Sequence, residues 1–161
     1  MSVQQILNIG ELPKRVKDVQ ESGSICRKVA EDNRNRSAHD LRHEVGGKLQ
    51  TLDFLGEAQQ SDVELIVGEA VTNACCNTPD RRPIKIAWEN SPSDLHLSIT
   101  NSNYNCVDRK VALPEDCLSE HGRGLVIIEE LVNHLSETGL RTGCSLRNCS
   151  NRTVFRISVG S

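Results

Sequence analysis

The stretch VELIVGEAVTNACCNTPD, residues 63–80, contains the most informative pattern in the chain. Its apolar residues recur at spacings of three and four, which predicts an amphipathic helix with one buried stripe. Glu69 and Asn73 are four residues apart, so they project together at the edge of that stripe. Solvation alone would explain polar residues there, but the position would also let the pair line a ligand pocket. The apolar stripe consists of Val63, Ile66, Val67, Ala70 and Ala74.

Both ends of this helix carry recognisable signals. Ser61 and Glu64 form the S-x-x-E pattern of a capping box, whose side chains satisfy free backbone amides in the first turn. Pro79 lacks a backbone N–H and cannot continue a helix. The sequence therefore predicts a helix that begins near Ser61 and ends before Pro79.

Composition excludes several classes of protein. A chain of 161 residues fits one domain, residues 1–161. The formal net charge of −3 and the pI near 6.0 provide no basic field for nucleic acid. One Trp, one Tyr and two Phe are too few for a base-stacking platform. The N-terminus shows no apolar segment of signal-peptide length and no run approaches a membrane span, so we expect a cytoplasmic protein without membrane contact.

The seven cysteines show no C-x-x-C spacing, which a zinc site or a disulfide framework would usually show. We therefore predict free thiols in a reducing compartment, with Cys75 acting as a small core residue.

The N-terminal third is polar and is predicted to be mainly helical. Residues 3–9 resemble a short edge strand, and residues 11–32 form an amphipathic helical pattern. The tract NRNRS, residues 33–37, is interpreted as a loop. Residues 38–58 return to helical periodicity, with a possible break at Gly46–Gly47 because each glycine weakens a helix by about 1 kcal/mol.

The C-terminal part alternates strands with one more helix. Residues 83–89 and 94–100 alternate apolar and polar side chains, which predicts an antiparallel hairpin with its turn at NSPS. Residues 101–121 have no sustained period and form a long loop, of the kind that is usually functional or disordered. A helix follows GRG from residue 122, and residues 143–159 form a closing hairpin that turns near residues 149–151. This order predicts an α+β sandwich with helices on one face of a mainly antiparallel sheet.

Four segments occur in a compact order: ELIVGEAVTNA, LSITNSN, GRGLVIIEEL and NRTVFRI. Together they resemble the histidine-kinase-like (GHKL) ATPase superfamily, and within it the small anti-sigma-factor serine kinases. The resemblance covers about residues 61–159, and the E-A-V-T-N-A helix is its most specific part. It implies the two-layer ATPase fold, with a mixed, mainly antiparallel sheet and a lid loop at residues 102–121. It also implies ATP and Mg²⁺ as cofactors.

The resemblance assigns roles to the polar pair. Asn73 matches the amide ligand of Mg²⁺, an ion that keeps several waters and few protein oxygens. Glu69 matches the carboxylate that orients or deprotonates the attacking nucleophile. Thr153 matches a threonine that helps to bind adenine.

The glycine-rich segment is expected to contact phosphates. Gly122 and Gly124 would let the lid approach them, and the backbone amides of Gly124 and Leu125 at a helix N-terminus are natural anion donors. Arg123 could reach the γ-phosphate, although a solvated arginine is an equally simple interpretation.

The adenine motif departs from the family pattern. Asn101 replaces an aspartate and Asn103 replaces a glycine, while Asn77 replaces a histidine that follows the Mg²⁺ ligand. An asparagine accepts hydrogen bonds but carries no charge, and a charge-assisted bond contributes about 1.5–3 kcal/mol. Nucleotide affinity could fall about ten- to a hundredfold.

The N-terminal region, residues 1–60, is longer than in these kinases and is interpreted as a strand and helices with an insertion. LRHEVGGKLQTLDFLGE faintly resembles the phosphoacceptor helix of sensor kinases, with His43–Glu44 as the reactive pair and His39–Asp40 as a second candidate. Solvated histidines on a polar helix face would give the same pattern.

Three functions remain open. The resemblance favours an ATP- and Mg²⁺-dependent serine kinase that binds a sigma factor and phosphorylates an anti-anti-sigma partner. The alternatives are a partner-binding module of the same fold with weak nucleotide turnover, and phosphotransfer through His43. The resembled kinases commonly form homodimers through the N-terminal part, which is the region that departs here.

Overall fold

A computed structural model describes residues 6–9, 21–49, 52–78, 81–101, 124–147 and 152–159. Its strands are β1 (Ile6–Ile9), β2 (Glu21–Val29), β3 (Arg82–Ser91), β4 (Asp94–Asn101), β5 (Leu140–Arg147) and β6 (Arg152–Val159), and its helices are α1 (Arg34–Leu49), α2 (Glu57–Asn77) and α3 (Gly124–Glu137). A single turn of 3₁₀ helix, Glu31–Asn33, precedes α1.

The described strands form one six-stranded sheet in the order β1-β5-β6-β4-β3-β2. All five strand pairings are antiparallel. The three helices pack on one face, and the apolar side chains between helices and sheet form one continuous core. The predicted α+β sandwich with helices on one face of a mainly antiparallel sheet is confirmed.

The central hairpin follows from side-chain alternation. Ile86 pairs with Ile99 and Trp88 with Leu97, and all four side chains are buried. Residues at odd positions of β4 therefore face the helices, while their polar neighbours face the open side of the sheet. The predicted hairpin and the position of its turn at Pro92–Ser93 are confirmed.

The predicted helix over residues 11–32 is wrong in its second half, because residues 21–29 form β2 at one edge of the sheet. Ile25 and Val29 are buried there. Their spacing of four residues fits a helix face and also fits two periods of strand alternation, so periodicity alone could not separate the two. Residues 11–20 lie outside the described part of the chain.

The predicted loop at residues 33–37 is also wrong, because α1 begins at Arg34. The Arg34 Nη2 group donates a 2.9 Å hydrogen bond to the carbonyl oxygen of Thr78, just past the end of α2. This contact joins residues 44 positions apart, so no local pattern could indicate it.

Helix α1 runs without a break through Gly46–Gly47 and ends at Leu49. Buried Val45 and Leu49 lie on either side of the glycines and hold the helix against the core. The predicted helix 38–58 is thus two pieces, since a turn closed by the Leu55 N–H to the Leu52 carbonyl separates α1 from α2.

Helix α2 begins at Glu57, one turn before the predicted start at Ser61. The Gly56 N–H donates to the Gln59 side chain at 2.9 Å, which satisfies the start of the helix. The helix ends at Asn77, and the Thr78 hydroxyl donates back to the Ala74 carbonyl at 2.6 Å. The end before Pro79 agrees with the prediction.

The C-terminal elements also agree with the sequence. Helix α3 follows the glycine-rich segment, and β5 pairs with β6 in an antiparallel hairpin. The predicted turn at residues 149–151 and the lid loop at residues 102–121 lie outside the described residues. Within the described helices, none combines the length and the apolar character that crossing a membrane would need.

All four cysteines in the described residues are free thiols. Cys75 and Cys144 are buried, whereas Cys26 and Cys76 are exposed. Burial raises the pKa of Cys144 to about 12, and burial together with neighbouring Cys76 raises that of Cys75 to about 11. Cys75 therefore behaves as an uncharged core residue, as predicted.

Gly23 of β2 packs closely against the Trp88 side chain of β3. A Cβ atom at this position would lie 2.3 Å from Trp88 Cζ2, and Trp88 is only 5% exposed. Gly23→Ala is therefore expected to lower the free energy of unfolding by about 1–3 kcal/mol through overpacking, measured by urea denaturation. Gly47→Ala is the matched control: no atom lies within 4 Å, so alanine should stabilise α1 by up to about 1 kcal/mol. Equal effects of the two variants would contradict this account of β2.

A second prediction concerns Asp94 and Arg156, which form an ion pair with side-chain exposures of 8% and 5%. Asp94→Asn would leave a buried guanidinium without its carboxylate and should reduce the free energy of unfolding by about 3 kcal/mol. Glu44→Gln, which removes the exposed pair with Arg27, should change it by less than about 1 kcal/mol. Chemical denaturation of both variants checks this; a small effect of Asp94→Asn would show that the pair contributes little.

Candidate functional site

The polar pair of α2 lies at the edge of the helix face that is buried in the core. Glu69 and Asn73 are both half-buried, one helical turn apart, while Ala70 and Ala74 beside them are buried. The structure thus places both residues at the edge of the buried face.

Helix α3 packs antiparallel against α2 and brings its first turn to this pair. At one end, His134 Nδ1 lies 2.7 Å from Asp62 Oδ2. At the other end, the carboxylate of Glu69 approaches Gly124, the first residue of α3. A Cβ atom on Gly124 would lie 2.9 Å from Glu69 Oε2, so a larger residue at this position would make the end of the Glu69 side chain shift.

The first turn of α3 supplies donors beside the carboxylate. The amides of Gly124 and Leu125 belong to the four that have no partner within an α-helix. They also lie at the positive end of the helix dipole, which attracts anions. The Glu69 carboxylate and the first turn of α3 therefore meet at one end of the α2–α3 pair, with Asn73 one turn further along α2.

An apolar crevice lies beneath this polar cluster, between α2 and the sheet. It has no room for a water-sized sphere, so a ligand ring would enter only if its walls separated. Its lining residues are Ile66, Val67, Ala70, Leu97, Ile99, Cys144, Thr153 and Phe155.

Two polar side chains are associated with this crevice. Thr153 lines it directly and pairs with Ile99 across β6 and β4. Asn101, the half-buried last residue of β4, lies two positions beyond Ile99 and so on the same face of the sheet. The Cys144 thiol in the wall stays uncharged because burial raises its pKa to about 12.

The remaining predicted site residues are not described. Asn77 is the last residue of α2, but its side chain, like Asn103, Gly122 and Arg123, lies outside the described part of the structure. Their roles stay predictions.

The two candidate phosphoacceptor histidines lie together on the exposed face of α1. The Nε2 atoms of His39 and His43 are 3.1 Å apart, and His39 Nδ1 is 3.4 Å from Asp40 Oδ1. Glu44, the predicted partner of His43, instead forms a 2.8 Å ion pair with Arg27 of β2. The structure therefore pairs His39 with Asp40 and leaves His43 without its predicted carboxylate.

Sequence reasoning missed two wall residues of the crevice, Cys144 and Phe155. Leu97 and Ile99 were expected in the core from alternation, but Cys144 and Phe155 become wall residues only because β5 and β6 pair beside β4. It also missed Gly68, where a Cβ atom would lie 2.9 Å from Arg42 Nε of α1. No local pattern indicated that contact.

Comparison with known proteins covers most of these elements. The family model of the histidine kinase-like ATPase domain matches residues 32–147, more than two thirds of the chain. The match starts well before residue 61, so it includes all of α1, α2 and α3, and it ends with β5, before β6 and Thr153. No curated protein matches the chain significantly. The extent of the family match, over the helices and strands that build the candidate site, shows that the chain belongs to the histidine kinase-like ATPase domain family.

Proposed function

We propose that this chain is an ATP- and Mg²⁺-dependent protein serine kinase of the anti-sigma-factor type. It would bind a sigma factor and phosphorylate a serine of a small anti-anti-sigma partner. The observation that carries the proposal is the meeting of Glu69 with the first turn of α3, with Asn73 one turn further along α2. Family membership provides the ATP-binding domain in which this arrangement acts.

The residues present fit a nucleotide-bound Mg²⁺. Within the described part of the chain, no three His, Cys, Asp or Glu side chains form a metal cluster. A Mg²⁺ ion does not require one, since it keeps several waters and shares phosphate oxygens with its nucleotide. The half-buried amide of Asn73 would hold the ion through its oxygen. The ion would neutralise charge that develops on the transferred phosphoryl group.

Glu69 and the first turn of α3 would bind the phosphates and activate the attacking hydroxyl. The amides of Gly124 and Leu125 would hold phosphate oxygens at the positive end of α3. The Glu69 carboxylate would accept the proton of the attacking serine hydroxyl or orient that hydroxyl in line with the phosphorus. Both tasks require the carboxylate to lie next to the phosphate site, which is where Gly124 allows it.

Adenine would contact Asn101 and Thr153 at the apolar crevice. The Asn101 amide can accept from the adenine amino group and donate to a ring nitrogen, but without charge. The crevice must also widen to accept a ring. Both features favour the second candidate, a partner-binding module of the same fold whose nucleotide turnover is weak.

The proposal of phosphotransfer through His43 gains no support from its surroundings, because Glu44 is held by Arg27. Partners and a homodimer remain part of the proposal, on the resemblance to anti-sigma-factor kinases alone.

Nucleotide binding is tested by calorimetric titration of ATP with and without Mg²⁺. We expect Mg²⁺-dependent binding that falls at least about tenfold in Asn73→Ala, since the variant loses the only side-chain oxygen proposed for the ion. Asn133→Ala, an exposed asparagine of α3, should bind as the wild type does. Absence of binding at millimolar ATP would overturn the kinase proposal and leave the partner-binding module.

Transfer chemistry is tested with labelled ATP and a panel of purified anti-anti-sigma domains. Glu69→Gln should lower phosphoryl transfer by about 10²–10⁴-fold while nucleotide affinity changes little. Glu64→Gln, on the exposed face of the same helix, is the matched control and should retain activity. An acid-stable label on serine supports the proposal; an acid-labile label on this chain would contradict it.

A further inference from the structure

The outer face of α1 carries two histidines whose rings touch. The ring centroids of His39 and His43 are 4.4 Å apart and the planes meet at 60°. The His39 side chain is 68% exposed, and the structure brings the two Nε2 atoms to 3.1 Å. Spacing of four residues places both rings on one helix face, but only these rotamers make the two nitrogens converge.

We propose that His39 and His43 form a chelating site for a late first-row transition-metal ion such as Ni²⁺, Zn²⁺ or Cu²⁺. Imidazole nitrogen is a ligand that these ions share. At 3.1 Å, one Nε2 must donate a proton to the other for the contact to be favourable. For a metal ion to accept both Nε2 lone pairs, the proton of the donating ring would move by way of solvent to its own Nδ1, so that both imidazoles stay neutral.

The geometry fits coordination without moving either ring far. With metal–nitrogen distances of about 2.05 Å, the 3.1 Å separation of the nitrogens corresponds to a nitrogen–metal–nitrogen angle of about 98°. This value lies between the 90° of adjacent octahedral ligands and the tetrahedral angle.

Asp40 provides an orienting contact. Its Oδ1 atom lies 3.4 Å from His39 Nδ1. A carboxylate in this position favours the tautomer with the proton on Nδ1, which leaves Nε2 free for the metal. Such outer contacts also raise the basicity of the ligand nitrogen.

Two protein ligands leave the remaining positions of the metal open to water. This agrees with the absence of any three-residue cluster of His, Cys, Asp or Glu among the described residues. The ion would link positions 39 and 43 one turn before Gly46–Gly47, the weakest part of α1 by helix propensity. Occupancy should therefore stabilise this helix, which packs directly on α2.

The test is calorimetric titration of Ni²⁺ into the full chain after its exposed thiols have been alkylated, so that cysteines do not compete. We expect one site per chain. His39→Gln and His43→Gln should each lower the affinity about tenfold or more, because either substitution destroys the chelate and leaves one imidazole, and the double variant should lose the site. Asp40→Asn should lower the affinity by up to about tenfold.

His134→Gln is the matched control, since His134 is also exposed but faces Asp62 of α2 rather than another histidine. It should leave Ni²⁺ affinity unchanged. The melting temperature should rise with Ni²⁺ in the wild type and in His134→Gln, and stay constant in the double variant. Unchanged affinity in either single variant, or in the double variant, would overturn the proposal.

Discussion

The close approach of the Glu69 carboxylate to the first residue of α3 fixes the geometry of the candidate site. It depends on the antiparallel packing of α3 against α2 and on the position of Glu69 along α2, and the missing side chain of Gly124 leaves the carboxylate this position. Burial of Ile128, Val132 and Leu135 holds α3 on the sheet and so holds its first turn at the carboxylate. A shift of one residue in either helix would separate the two groups.

Helix α2 can hold Glu69 in this position because it makes close contacts at a glycine on each of two sides. On one side, Gly68 lets the Arg42 guanidinium of α1 pack on the helix backbone. On another side, Gly124 of α3 admits the carboxylate of Glu69, the next residue along α2. Its apolar stripe is buried against the sheet. These three contacts together fix the rotation of α2 about its axis. They therefore fix the direction in which Glu69 and Asn73 project.

The sequence predicted those features that depend on short-range periodicity. The β3–β4 hairpin followed from strict alternation, and the placement of Glu69 with Asn73 followed from a spacing of four in a long amphipathic helix. Strand β2 was missed because Ile25 and Val29 satisfy both periods, and its assignment depends on pairing with β3, more than fifty residues later. Contacts made only by the tertiary fold could not be predicted in this way. The family resemblance nevertheless assigned GRGL to the same candidate site as Glu69 and Asn73. It supplied an order of segments that side-chain periodicity alone did not provide.

The choice of an amide at position 73 and a carboxylate at position 69 has an electrostatic reason. Under the proposed function, a nucleotide would bring several negative charges to the first turn of α3, where the helix dipole would offset only a small part, about 0.3–1 kcal/mol for each charged group. A second carboxylate beside Glu69 would add repulsion before any metal ion arrived. Asn73 can offer an oxygen to the ion without that added charge. One carboxylate would then be sufficient for the proton, and Glu69 lies beside Gly124, at the turn where the proposal puts the phosphates.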